Sequence, residues 1–359
     1  LIHKPGKQIV VIENTVEAIN TDALQILKRM PQVRVEPASI LLQDVPARIM
    51  VNQVLVNLEG IALIAYLQTI RSEQIQKIEL IKKPGAKYDA EGLGKIIHLI
   101  LKKKTENGFQ TSAFLKTTDR FLAPKYNTLS YQVGGSADYK HKNIQLYGQL
   151  HYQLDTTTQL NESQMKYPQE ASIFQHSQSK TQDQSVSGKI GVHLNLQKHT
   201  LVLETDFNPE KKISSTSGIT QQHLMQISNG KNNSLTQSEN RSLLNTVNYT
   251  YQIDSSGSNL QGIATFNTVL KQQASDFTSV FDVSSEDFSR RNTMNQEKYE
   301  ARIQIDATHI IDTVHTLLWG ISASQRHSFT NQVQDNLEQN QWIPDSFSTN
   351  NFSFLQRVG

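Results

Sequence analysis

The sequence predicts two joined units: a small α/β unit over residues 1–104, and over residues 105–359 an antiparallel β-sheet with the features of a transmembrane barrel. Three observations predict this. Helical spacing mixes with short β-rich pieces only in the first unit. From Phe109 onward helical periodicity is lost and strict two-residue alternation takes its place. The connections between alternating segments are short and long by turns, as expected when the two rims of a barrel face different compartments.

In the first unit, Thr21 or Asp22 can cap a helix carrying Leu24, Ile26, Leu27 and Met30, which Pro31 stops. Short β-rich pieces follow at Val33–Val35, Ile40–Leu42 and Ile49–Val51. Ile61–Leu67 reads as a compact apolar helix, with a buried strand as the alternative. Ile75–Ile81 and Ile96–Leu101 read as strands, separated by the turn-rich link from Lys83 to Gly92.

In the second unit the clearest strand is Ile144–Leu154. Ile144, Leu146, Gly148, Leu150, Tyr152 and Leu154 fall on one face, and Gln145, Tyr147, Gln149, His151 and Gln153 on the other. Val186–Leu196 and Tyr299–Ala307 repeat the pattern, and Leu243–Ile253 and Leu260–Leu270 follow it more loosely. Such alternation gives one apolar and one wet face, which suits either a soluble antiparallel sheet or a barrel with lipid outside and water inside. The links at Tyr139–Lys142, Gln197–Lys198, Asp254–Ser258 and Ile310–Thr313 are short. Those at Asp155–Asp183, Asn208–Arg241, Gln272–Glu297 and Asn331–Asn350 are long, polar and expected as loops. Strand length and the short–long order favour the barrel.

Composition removes several function classes. Lys and Arg total 35 against 33 Asp and Glu, so a net charge of +2 gives no global pull toward nucleic acid. No cysteine is present, which excludes disulfides, thiolate metal sites and a cysteine nucleophile. With 37% hydrophobic and 19% charged residues, the surplus is uncharged polar, too polar for a helical membrane protein and too hydrophobic in its ordered segments for disorder. The longest apolar stretch, Ile61–Leu67, is far short of the roughly 18 residues a membrane helix needs. The chain starts at Leu1, so its start says nothing of a signal peptide.

The segment Ile75-Gln76-Lys77-Ile78-Glu79-Leu80-Ile81, then Pro84, then Ala86-Lys87-Tyr88-Asp89-Ala90-Glu91-Gly92, then Ile96-Ile97-His98-Leu99-Ile100-Leu101-Lys102-Lys103, resembles the end of a plug domain. The family is the TonB-dependent outer-membrane receptors, in the branch typical of Bacteroidetes. Upstream, Ala23-Leu24-Gln25-Ile26-Leu27-Lys28 with Pro31-Gln32-Val33-Arg34-Val35 is similar to the first plug helix and its following strand. Gly108-Phe109 and Pro124-Lys125-Tyr126-Asn127 resemble the entry into the barrel. Two departures stand out. Asn52-Gln53 replaces the family's Asp-Gly hairpin pair, and Leu41-Leu42-Gln43-Asp44 replaces a common Leu-Arg-Gly, losing an arginine.

The resemblance implies a plug over residues 1–104 and the N-terminal part of a barrel over 105–359. Family barrels have about 22 strands. About 9–10 can be counted here, nine complete and a tenth beginning near Asn351, so the chain is expected to be a fragment. It also implies residence in the outer membrane of a Gram-negative bacterium, contact with outer-membrane lipid, and a TonB-type energy-coupling protein as partner. The implied function is uptake of an extracellular ligand through a plugged barrel, with siderophore, vitamin B12, oligosaccharide and peptide all open. The alternative is a non-transporting barrel receptor or adhesin, and a soluble β-rich binding module is a further rival.

Pro84, Lys87, Tyr88, Asp89 and Gly92 are expected to shape the plug's final turn. Asp89 and Glu91 lack the further oxygen ligands a Ca²⁺ loop needs and read as turn residues. Lys102-Lys103-Lys104 reads as a solvated linker. His151, Lys189 and His193 lie on the polar strand faces and are the lumen-facing candidates. His193 and His199 are six apart and no HExxH occurs, so no metal set or cofactor site is expected. Gly134-Gly135 inside a strand reads as a bend or close approach. Tyr126, Tyr131, Tyr139, Tyr152, Tyr249 and Tyr251 are candidates for an interfacial girdle. No nucleophile elbow, P-loop or dinucleotide fingerprint appears, so no enzyme is expected.

Overall fold

The computed structural model describes residues 2–4, 7–12, 21–36, 39–52, 54–56, 60–70, 72–82, 94–102, 107–122, 126–166, 172–223, 227–282, 287–312, 315–338, 341–344 and 350–358. Two sheets share no strand. The first is built from β1 (Ile2–Lys4), β2 (Lys7–Val11), β3 (Val33–Val35), β4 (Ile40–Leu42), β5 (Val45–Val51), β6 (Val54–Leu55), β7 (Ile75–Ile81) and β8 (Lys95–Leu101). Its order is β1-β2-β7-β8-β5-β4-β3, with β6 on β5. Only β5–β8 runs parallel among the described pairs.

Two helices supply the other half of this unit's core. In α1 (Ala23–Arg29) the Asp22 carboxylate caps the helix, accepting from the Gln25 amide at 2.8 Å, and Pro31 follows the end. In α2 (Gly60–Thr69), Leu63, Tyr66 and Leu67 join Leu24, Leu27, Leu42, Ile78, Leu80, Ile97 and Leu99 in one cluster. The near-continuous burial of residues 78–81 of β7 and 96–99 of β8 explains why apolar side chains dominate both, since both faces are covered there. The Ser72 hydroxyl donates to the Thr21 carbonyl at 2.9 Å, tying the α1 entrance to the chain just past α2. Asn52, after Val51 in the β5–β6 hairpin, takes the left-handed conformation at φ +48°, which asparagine tolerates well.

The second sheet is antiparallel throughout. It comprises β9 (Gly108–Leu122), β10 (Tyr126–His141), β11 (Ile144–Lys166), β12 (Ser172–Leu196), β13 (His199–His223), β14 (Ile227–Gln252), β15 (Asn259–Phe281), β16 (Phe288–Ile310), β17 (Thr316–Glu338), β18 (Gln341–Pro344) and β19 (Asn350–Val358). Consecutive strands pair from β9 to β18, and β19 also pairs with β17, giving 11 strands. At one rim the connections are tight. Lys142 (φ +50°) and Gln197 (φ +52°) each open a two-residue turn in the left-handed conformation.

At the other rim the expectation of long loops is overturned. The polar stretches 155–183, 208–241 and 272–297 are mostly strand: the β11–β12 ladder continues from Asp155↔Asp183 to Lys166↔Ser172, and β13–β14 pairs as far as His223↔Ile227. β15 likewise reaches Phe281 and β16 begins at Phe288, while residues 331–350 carry the end of β17 and all of β18. The physical reason is that two-residue alternation records an asymmetry of solvent, not hydrogen bonding. Where both faces are wet the ladder persists and the signal vanishes. Cross-strand hydroxyl pairs continue there: Ser179 with Thr216 at 2.8 Å, Thr181 with Ser214 at 3.0 Å, and Thr236 with Ser275 at 3.0 Å.

The sheet is inverted in polarity relative to a water-soluble domain. Leu150, Ile190, Ile303 and Ile321 are 54, 60, 62 and 65% exposed, whereas His151 is 0% exposed on the opposite face. The apolar outer runs are Ile144–Leu154 on β11 and Val186–Leu196 on β12, eleven residues each by their numbering. About 9–11 residues cross a bilayer as a tilted strand. Tyr131, Tyr139 and Tyr249 are exposed, and Tyr126, Tyr152 and Tyr251 half-buried. Near the tight rim, the His199 ring stacks on those of Tyr249 and Tyr251 with centroids 6.0 and 5.0 Å away, and its Nδ1 lies 2.7 Å from the Tyr249 hydroxyl. Phe109 and Trp319, also exposed, extend the aromatic set. Sequence reading had omitted both.

Candidate functional site

Helix α2 packs against β10, β11 and β12, on the face of the large sheet away from the exposed apolar residues. The site is this seam, and its centre is a lysine. Lys189 on β12 faces Asp206 directly across the β12–β13 ladder, and Glu204 sits two residues along β13 on the same face. The Lys189 Nζ lies 3.3 Å from Glu204 Oε2 and 3.4 Å from Asp206 Oδ1. All three side chains are nearly buried, at 11, 14 and 12% exposure.

Tyrosines reach this triad from two sides. The Tyr147 hydroxyl, from β11, donates to Glu204 on β13, passing over the intervening strand. Gly191 makes that possible: it is the register partner of both Tyr147 and Glu204, and a Cβ there would stand 2.4 Å from the Tyr147 ring. From α2, Tyr66 brings its ring to 5.5 Å from the Lys189 ammonium, which hydrogen-bonds its hydroxyl. Burial pushes the Tyr66 phenol up to about 12; Lys189 opposes this, and Asp206 and Glu204 add to it. The aromatic body of Tyr66 belongs to the helix unit's core while its hydroxyl belongs to the sheet's charge cluster. One residue thus couples two separately built units.

Beyond the cluster, away from the tight rim, lies His151. It is fully buried, and its ring stacks with Phe114 at 5.8 Å between centroids. Both are register partners of Gly134, whose missing Cβ leaves room: one added there would come within 2.6 Å of the Phe114 ring. Gly134 is therefore a close-approach position.

Of the candidate residues, His151 and Lys189 lie on this inner face, with Lys189 at the seam's centre. His193 shares the strand face, half-buried, two register steps toward the tight rim. Pro84, Lys87, Tyr88, Asp89 and Gly92 fall outside the described residues, as do Glu91, Lys103 and Lys104. Sequence reading missed Tyr66, Tyr147, Glu204 and Asp206. Tyr147, on the polar face of a clean strand, carried a visible signal; Tyr66, inside an apolar run, carried none. Among the described residues no three His, Asp or Glu side chains are grouped closely enough to hold a metal ion.

Residues 251–359 match the outer membrane protein beta-barrel family. Together with the inverted polarity of the sheet, that match places the protein in the outer membrane of a Gram-negative bacterium. No curated protein matches the chain. Among solved structures it is similar to the ferric yersiniabactin uptake receptor FyuA from Yersinia pestis, at 12% identity and a TM-score of 0.39, covering 98% of this chain and 60% of that one. For the RagAB peptide importer the values are 7%, 0.38, 98% and 62%, and for the ferric citrate transporter FecA 9%, 0.34, 98% and 59%. The chain therefore spans about three-fifths of those proteins' length.

Proposed function

We propose that this chain is the plug and part of the barrel wall of a TonB-dependent outer-membrane receptor of the Bacteroidetes type, which takes up a ligand with energy delivered by a periplasmic coupling protein. The observation that carries the reading is the seam itself. A folded α/β unit rests on the water-facing side of a lipid-exposed sheet, and its central contact is made by ionic and hydroxyl groups. Such a contact can be exchanged for water when the unit moves, without baring apolar core to lipid. The ionic and hydroxyl groups of the seam pair with one another, which favours a receptor.

The absence of cysteine from the chain gives a direct test. Ser187, two residues before Lys189 on the same strand face and 8% exposed, is replaced by cysteine as the only thiol. In whole cells a water-soluble maleimide should label it slowly at rest and faster when the inner membrane is energised, and a protonophore or loss of the coupling protein should remove the difference. Labelling that ignores energy supply would overturn transport and leave the non-transporting receptor.

A further inference from the structure

A second polar site lies on the same inner face, farther from the tight rim. Three register rows cross β10, β11 and β12 there: Gly134, His151 and Ser187; Gln132, Gln153 and Ser185; Ser130, Asp155 and Asp183. Ser130, Gln132, His151 and Asp183 are 7, 9, 0 and 7% exposed. Even so, Ser130 Oγ, Gln132 Oε1, both His151 nitrogens, Asp155 Oδ1 and Asp183 Oδ1 have no hydrogen-bond partner. Buried polar atoms are nearly always satisfied, so six unpartnered atoms across three adjacent rows mark a polar site.

The orphans also specify the occupant. Gln153 donates to Asp155 Oδ2 at 2.6 Å, which leaves the other carboxylate oxygen facing inward. Asp155 and Asp183 are direct cross-strand partners, an arrangement that repels unless a positive group sits between them. Two carboxylate oxygens and an amide oxygen can only accept, and the Ser130 hydroxyl and one nitrogen of a neutral His151 can accept as well, so a multiple donor bearing positive charge would satisfy them together. Among the described residues no three His, Asp or Glu ligands converge here, which disfavours a bare divalent cation.

We propose that the polar site formed by Ser130, Gln132, His151, Asp155 and Asp183 binds an ammonium or guanidinium group of the transported solute, so that the receptor selects amine-bearing ligands such as basic peptides. The proposal deepens the receptor reading and rests on it. Both aspartates lie just past the apolar runs that end at Leu154 and begin at Val186. Burial, then Glu210, push the Asp183 carboxyl up to about 6; exposed Lys212 opposes this, and Asp155 adds to it. A seated cation would relieve that unfavourable field.

The test uses the purified protein in detergent micelles and two blocked tripeptides, N-acetyl-Gly-Lys-Gly-amide and its Gln counterpart, followed by titration calorimetry. The Lys peptide should bind and the Gln peptide should not. Asp155→Asn and Asp183→Asn should each weaken binding roughly tenfold, the size of one lost charge-assisted hydrogen bond. Asp119→Asn, exposed on the opposite face of β9, should change nothing. Equal binding of both peptides, binding of neither, or indifference to the two Asn variants would overturn the proposal. So would saturable Ca²⁺ binding lost in the same variants, which would make this a metal site. Unchanged circular dichroism shows that each variant keeps its fold. Because no energy source is involved, failure here with Ser187→Cys labelling still energy-dependent would refute the ligand class alone.

Discussion

Replacing Lys189 by methionine removes the only cation in the triad and keeps the length of the side chain. Glu204 and Asp206 would then be left with no cation at 12–14% exposure, 3.3 and 3.4 Å from where the ammonium stood. Removing one member of a buried pair costs about 3–5 kcal/mol. The residual exposure here puts the expected cost at the lower end, about 3 kcal/mol. Tyr66 loses its partner as well, so the penalty falls on the docking of α2 and not on the β-ladder. Hydrogen exchange reads this locally: amides of α2 should exchange roughly a hundredfold faster, since each 1.4 kcal/mol is about a factor of ten. Amides of β15 and β16 should be unchanged. The triple variant Lys189→Met, Glu204→Gln, Asp206→Asn, which removes every charge, should recover most of the protection. If Lys189→Met alters α2 exchange by less than about twofold, or the triple variant is no better than the single, the seam is not held by this cluster.

Other outcomes follow from the same contacts. Tyr66 is more acidic unfolded than folded, so its contribution to docking is complete below its ordinary pKa of 10.0 and is lost as pH rises toward about 12; Tyr66→Phe should blunt that alkaline release, measured by proteolysis of the helix unit. Glu79 behaves in the opposite sense: burial raises its pKa, but Lys7 at 3.0 Å, Lys77 and His98 hold it below the ordinary value, so its stabilisation is present at neutral pH and lost in acid as the carboxyl protonates. Circular dichroism of the wild type and Glu79→Gln across that range checks this, the variant losing less. Leu150→Arg, on the exposed apolar face, should cost about 2–4 kcal/mol on membrane insertion and reduce the heat-modifiable form on gels. Gln197→Gly relieves the left-handed backbone at φ +52° and should stabilise the tight turn by about 0.5–1 kcal/mol in urea unfolding.

What the sequence disclosed depended on which solvent each residue met. Strand positions 144–154 and 186–196 were legible because lipid on one side and water on the other write alternation into them. The continuations 155–166 and 172–183 are strand by the same hydrogen bonds, yet Gln, Ser, Thr and Asn on both faces left nothing to read. The helix at Ile61–Leu67 was visible as an apolar run, but which of its residues faced the wall was not, because a helix covered on several sides loses its polar stripe. Lys189 was identified from its face alone. Its partners Glu204 and Asp206 belong to another strand, and which strand faces which is a fact of register that no local pattern carries.

The hairpins that rise beyond the apolar belt have different constraints at their two ends. At the tight rim a shift of one residue would turn Leu150 inward and His151 into lipid, so register there is fixed by the bilayer itself. In the far half, for example the 12 residues from Asp155 to Lys166, roughly 40 Å of ladder at 3.3 Å per residue, either face can meet water. Insertions and deletions of paired residues near those tips therefore cost little and disturb nothing below. The lower half works as a fixed ruler and the upper half as a free margin. A lineage under pressure to change what its cells display could lengthen, shorten or rewrite that margin while the seam and the membrane crossing stay as they are.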